Sequence, residues 1–153
     1  MHLITIGRLR AGPEAELFHR YNTRLQPKLA VIELPEARGG PAEVRRREAS
    51  ALVAAVPRQG FAVALDQGGI ALNSQELATH LERWLARGQL ICFLIGGTEG
   101  LDAPVLARAD FVLSLGAMTW PHLLVRAMLA EQLYRARSIA AGHPYHRSSR
   151  PGA

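Results

Sequence analysis

Five short apolar runs, at residues 2–6, 29–34, 61–65, 89–95 and 110–115, alternate along the chain with segments of helical periodicity. That alternation constrains the fold more than any other feature. Successive strands separated by a helix pair in parallel, because the chain must cross over before it can run in the same direction again. Runs without polar alternation, such as Gln89 to Ile95, fit strands covered on both faces. The reading is an α/β domain: a mostly parallel sheet with helices on both faces.

The intervening segments carry helix signals of their own. Pro13 suits a first helical turn, and Leu17, Phe18, Tyr21 and Leu25 follow on one stripe. From Ala42 to Val56 an alanine-rich helix holds Arg45, Arg46 and Arg47 between Glu43 and Glu48, read as a solvated face. Asn73 and Glu76 have capping-box spacing, which predicts a helix from Asn73 to Ala86 closed by Gly88, with His80 on its surface. A short helix is expected at 103–108, and Pro121 opens the longest one, His122 to Ala140. On its wheel His122, Arg126 and Arg137 share one sector, Glu131 and Arg135 lie nearly opposite, and apolar residues fill both flanks. A helix of that kind would pack on its own sheet on one side and on a second copy on the other, so a homodimer is expected.

At 153 residues the chain fits one domain, 1–153, with an irregular tail from residue 143. No window approaches the roughly 18 uninterrupted apolar residues of a membrane span, and Met1 to Gly7 reads as a first strand rather than a signal peptide. The single cysteine, Cys92, lies in an apolar run and reads as a buried small hydrophobe, consistent with a cytoplasmic protein. A net charge of +5 favours a polyanionic partner. From Ala136 onward Arg137, Arg147 and Arg150 have no acidic neighbour, and Tyr145 lies among them.

Three strand ends carry glycine: Leu65-Asp66-Gln67-Gly68-Gly69, Leu94-Ile95-Gly96-Gly97-Thr98-Glu99-Gly100-Leu101, and Leu113-Ser114-Leu115-Gly116-Ala117-Met118-Thr119-Trp120-Pro121. Strand C-termini of open α/β sheets are where ligands sit, and glycine lets a ligand approach the backbone. The phosphate loop, the dinucleotide fingerprint, the nucleophile elbow and paired metal-ligand spacings are all absent from the sequence. His143-x-x-His146 lacks further ligands, so no metal is expected.

The second and third of these loops, followed by Leu124-Val125-Arg126, Ala130-Glu131-Gln132-Leu133-Tyr134-Arg135-Ala136 and His143-Pro144-Tyr145-His146-Arg147, resemble the ribosomal large-subunit pseudouridine methyltransferase H family of the SPOUT class. The similarity runs the length of the chain. It implies a C-terminal trefoil knot, a homodimer, and transfer of a methyl group from S-adenosyl-L-methionine to the ring N3 of a pseudouridine in large-subunit (23S) ribosomal RNA of assembled ribosomes. By motif, the cofactor contacts implied are Leu65, Asp66, Gly97, Gly116, Ala117, Met118, Thr119, Trp120 and Pro121. Two departures stand out: Thr98 where proline is common, and Gly116-Ala117 where serine and lysine are frequent. Both keep the loops small, and cofactor binding is expected to survive them. Ser148 to Ala153 extend past the usual end.

Methylating an imide nitrogen requires positioning and removal of its proton. His122, Glu131, Arg135, Tyr145, His146 and Arg147 are the candidates for that chemistry, with the base unassigned. Arg126, Arg135 and Arg147 are candidates to stabilise the imidate or bind phosphate. The alternatives are a silent ribosome-binding or assembly factor, or a small-molecule nucleotide-binding regulator.

Overall fold

The computed structural model describes residues 1–145. In chain order its elements are β1 (His2–Ile6), α1 (Pro13–Asn22), β2 (Ala30–Leu34), α2 (Pro41–Ala55), β3 (Phe61–Ala71), α3 (Ser74–Ala86), β4 (Ile91–Ile95), α4 (Ala103–Arg108), β5 (Phe111–Ser114) and α5 (His122–Ala140). The strands form one sheet in the order β2-β1-β4-β3-β5. Every pairing is parallel, as the alternation requires.

Side chains of successive strand residues point to opposite faces, and two cores result. Leu3, Val63, Ile91, Phe93 and Ile95 pack with α1, α3 and α5, where Phe18, Leu81, Trp84 and Leu133 complete the layer. Ile4, Ile6, Ala62, Ala64, Cys92 and Leu94 meet Leu52 of α2 and Val105 of α4 on the other face. Both sheet faces are therefore covered. Burial pushes the Cys92 thiol above its ordinary pKa and leaves it a core residue.

Local chemistry explains the element ends. Asn73 accepts from the Gln75 and Glu76 N–H groups while Glu76 accepts from the Asn73 N–H, a complete capping box. Pro13 and Pro41 lie in the first turns of α1 and α2. One strand differs from expectation. Instead of stopping at Leu65, β3 passes through Asp66 to Gly69 and resumes pairing, so Leu65 and Ile70 both face Leu113. Gly69 makes this possible: a Cβ there would lie 2.6 Å from the Val112 carbonyl oxygen, so only glycine lets the backbones come this close. His80, expected on the surface, is partly covered there. It is half-buried, its ring 5.1 Å from Phe111 and 5.6 Å from Trp84.

Candidate active site

The middle of β3, where its pairing shifts, and the C-terminal ends of β4 and β5 converge on one cavity of about 390 Å³. Leu65, Asp66 and Gln67 come from β3, Gly96, Gly97 and Gly100 from the loop after β4, and Gly116, Met118, Thr119 and Trp120 from the loop after β5. Ile95, Leu101, Leu113, Leu115 and Val125 give it apolar walls, and His122 at the start of α5 closes one side. A mostly apolar cleft with a few polar groups suits a small organic ligand.

Each loop is held by its own bonds. Gly100 N–H donates to the Gly97 carbonyl at 3.1 Å, closing a tight turn, and Gly100 has φ of 75°, a left-handed conformation natural to glycine. A Cβ on Gly96 would lie 2.8 Å from the Gly100 carbonyl oxygen. Ser114 Oγ accepts from the Gly116 N–H and lies 3.2 Å from the Gln67 carbonyl oxygen, and Thr119 Oγ1 donates to Gln67 Oε1 at 3.2 Å. Gln67 thus ties β3 to the β5 loop. Leu115 was expected to cover a purine face, whereas Gln67, Ile95, Leu101, Leu113 and Val125 were not among the expected site residues; the only sequence signal for Gln67 was its place inside a glycine turn.

Of the expected cofactor residues, Leu65, Asp66, Gly97, Gly116, Met118, Thr119 and Trp120 line the cavity, while Ala117 and Pro121 shape the loop without lining it. The expected catalytic residues separate. His122 is in the cavity, and its pKa is lowered by burial and then by the nearby Arg126, which favours the neutral imidazole; Glu36 and Glu48 oppose the shift. Glu131, Arg135 and Tyr145 form a second cluster that does not line the cavity. Arg135 donates to Glu131 Oε1 at 2.5 Å, the Tyr145 hydroxyl donates to the same oxygen at 3.1 Å, and the Arg135 guanidinium lies 5.0 Å above the Tyr145 ring. Nine residues of helix put Glu131 roughly 13 Å beyond His122. Burial, a hydrogen bond with Tyr21 and the Glu131 charge all raise the Tyr145 pKa, so its hydroxyl stays protonated and is not a base in this arrangement. His146 and Arg147 lie outside the described residues.

Arg126 requires a correction. Expected to meet imidate or phosphate, it is instead fully buried at 0% exposure. Its guanidinium donates to Glu33 Oε1 at 3.1 Å and to the carbonyls of Ile6 and Gly7 at 2.8 and 2.9 Å. A guanidinium wholly enclosed by protein cannot also bind RNA, so Arg126 ties the start of α5 to the ends of β1 and β2. Glu48 departs from its expected place as well: it is 4% exposed, accepts from the Ala37 N–H with Oε1, and keeps Oε2 beside Gly97.

A family model described as "Predicted SPOUT methyltransferase" matches residues 1–146. A protein of Gluconacetobacter diazotrophicus called ribosomal RNA large subunit methyltransferase H is 60% identical over 151 residues, covering 99% of both chains. The chain belongs to the SPOUT methyltransferase family. An Acidiphilium cryptum protein of the same name is 51% identical over 151 residues, covering 99% of this chain and 96% of its own. Among solved structures, a probable methylase family protein from Haemophilus influenzae has a TM-score of 0.57 at 11% identity, covering 99% of this chain and 72% of that one. A putative methylase family protein from Neisseria gonorrhoeae has a TM-score of 0.53 at 12% identity, covering 99% and 87%. These two likenesses concern the fold alone. The chain has the expected parallel sheet with helices on both faces, and this arrangement is consistent with the trefoil knot of the family.

The cavity fits the cofactor of this family. Its glycine-rich rim exposes backbone groups, Asp66 brings a carboxylate, and Trp120 Nε1 is a buried donor without a partner among the described residues. Among those residues no group of His, Cys, Asp or Glu is placed to hold a metal, and no helix is long and apolar enough to cross a membrane.

Proposed function

We propose that this chain, as one SPOUT domain, is the S-adenosylmethionine-dependent methyltransferase that modifies N3 of a pseudouridine in large-subunit ribosomal RNA, acting in the cytoplasm as a homodimer on the assembled ribosome. The observation that carries the reading is the cavity built from β3, β4 and β5, in a chain that matches proteins named for this activity over almost its whole length.

S-adenosylmethionine, when bound, supplies an electrophilic methyl group on its sulfonium. Leu65, Asp66, Gly97 and the Gly116–Pro121 loop would hold it, with the backbone groups of the glycine turns and the apolar Leu65, Leu115, Met118 and Trp120 available to bind the adenosine. His122 borders the cavity, and its lowered pKa leaves a neutral ring that can accept a proton from the imide N–H. Glu131, Arg135 and Tyr145 form a prepared surface farther along α5, and His146 and Arg147 follow Tyr145 in the sequence. That surface receives the RNA, and it reaches the cavity of the second subunit rather than its own.

Mass spectrometry of ribosomal RNA incubated with the protein and isotopically labelled cofactor tests the reaction and the substrate together. The label is expected on one pseudouridine. Absence of cofactor binding by calorimetry at near-millimolar concentration would sink the enzyme reading and leave a silent ribosome-binding factor.

A further inference from the structure

The edge of the sheet opposite the cavity carries a cluster of arginines. In a parallel α/β sheet the helices run against the strands, so α2, α3 and α4 all end where β3, β4 and β5 begin. Each brings arginine to that edge. Arg58 follows α2, Arg83 and Arg87 are at the end of α3, and Arg108 ends α4. Arg108 is occupied: it donates to the Gly60 carbonyl and pairs with Asp110 at 3.3 Å. Arg58, Arg83 and Arg87 are exposed, and none has a carboxylate within ion-pair distance among the described residues. Glu82, the nearest acid along α3, is paired with Arg137. Arg83 and Arg87 also border a cavity of about 300 Å³ whose walls include Phe61, His80, Trp84 and Phe111, with the Arg87 guanidinium 4.8 Å above the Phe61 ring.

Helix C-termini favour cations in any protein, and that is the competing explanation. It falls short in charge. Three helix ends carry about half a negative charge each, roughly 1.5 in all, against three free arginines besides the Arg108–Asp110 pair. A surplus of positive charge remains, on side chains whose planar donors suit phosphate oxygens. The cavity end of the sheet has mixed charge, with Glu33, Glu36, Glu48 and Asp66 beside the exposed Arg8 and Arg10 that follow β1, and with Arg126 consumed internally.

We infer that Arg58, Arg83 and Arg87 form a second RNA contact, which grips the sugar-phosphate backbone at the end of the molecule away from methyl transfer. This rests on the reading of the substrate as RNA. The five residues of β4 span roughly 17 Å, so the two ends touch a folded RNA at points several nucleotides apart. The contact adds affinity and orientation without reading bases.

The test uses the full chain and a fluorescent RNA hairpin of about 20 base pairs and generic sequence, with binding followed by anisotropy from about 50 to 300 mM KCl. In the double variant Arg83→Glu/Arg87→Glu, loss of two phosphate contacts is expected to weaken binding about ten- to thirtyfold near 150 mM salt. The slope of log affinity against log salt should become shallower by about 1.5 to 2. Arg83→Lys/Arg87→Lys should keep most of the affinity, and cofactor affinity should stay native in both. Arg45→Glu/Arg46→Glu, the same charge change on the exposed face of α2, controls for net charge. Equal weakening in that control, unchanged binding in the α3 variant, a lower urea midpoint with an unchanged salt slope, or no RNA binding by the native protein would each overturn the inference. Native RNA binding that depends on Arg83 and Arg87, without methyl transfer to ribosomes, would leave the contact standing and refute the proposed reaction instead.

Discussion

Replacing Arg126 with methionine separates a structural from a catalytic role for the most deeply buried cation in the described chain. The native guanidinium makes three hydrogen bonds, to Glu33 Oε1 and to the Ile6 and Gly7 carbonyls. Methionine fills much of the space but leaves those acceptors without a donor. Breaking a buried ion pair by removing one partner costs about 3–5 kcal/mol. The Glu33 side chain is 29% exposed and can be rehydrated, so the lower end, about 3 kcal/mol, is expected. In a chain of this size that lowers Tm by about 6–12 °C, and it lowers the urea midpoint by about 1.5 M at a slope near 2 kcal/mol per M. Cofactor affinity should fall as well, because Arg126 fixes the first turn of α5 beside the cavity. The double variant Glu33→Gln/Arg126→Met should lose less than the sum of the single losses. If Arg126→Met keeps native stability within about 0.5 kcal/mol and loses only turnover, the structural assignment is wrong and the arginine acts on substrate.

Gly96→Ala would bring a methyl group to 2.8 Å from the Gly100 carbonyl oxygen, a backbone atom that cannot swing away. Cofactor affinity by calorimetry should drop at least about tenfold, and native affinity would mean that the loop opens on binding. The lowered His122 pKa predicts that, if its imidazole is the base, the acid limb of kcat/KM against pH inflects below the ordinary histidine value and disappears in His122→Asn. The same group makes a stability contribution that is present above the unfolded pKa, near 6.5, and lost as pH falls toward the lower folded one, so urea midpoints should decline on acidification through that window. Cys92, buried and with its pKa raised, should react with a thiol reagent only at the rate of unfolding; a fast reaction in native buffer would show local opening of β4.

The parts legible in the sequence were those set by near neighbours. The capping box at Asn73 and Glu76, the helix opened by Pro121, and the glycine loops that end β4 and β5 depend on residues a few positions apart, and each was found where local chemistry put it. What escaped depends on distant partners. Gly68-Gly69 reads as a turn in isolation, yet β3 continues through it because the Val112 backbone lies against Gly69. Arg126 reads as a functional cation because nothing near it in sequence could enclose it, whereas Glu33, 93 residues away, pairs with it. Glu48 seemed to flank a solvated arginine run, but Arg47 pairs with Glu43 while Glu48 turns inward toward Gly97. A helical wheel places charges on a face without saying which face the sheet covers.

The separation of His122 from the Glu131–Arg135–Tyr145 cluster leads to the last prediction. Within one chain the methyl-donor cavity and the cationic aromatic surface do not meet, because they belong to different turns of a straight helix. Lengthening the tail of the same chain does not remove the problem for Tyr145, whose hydroxyl is anchored on α5 by Glu131. A two-fold dimer built on α5 would solve it by presenting the cluster of each subunit to the cavity of the other. Mixing a cofactor-dead Gly96→Ala chain with a tail-dead Tyr145→Ala chain tests this. Random pairing makes about half the dimers mixed, and each mixed dimer rebuilds one of its two sites, so about a quarter of native activity should return from two inactive preparations. Tyr145→Ala alone should lose methylation of ribosomes while binding cofactor normally. No recovery on mixing, with subunit exchange verified by mass, would show that each chain completes its own site and that α5 must bend or Tyr145 detach to reach it.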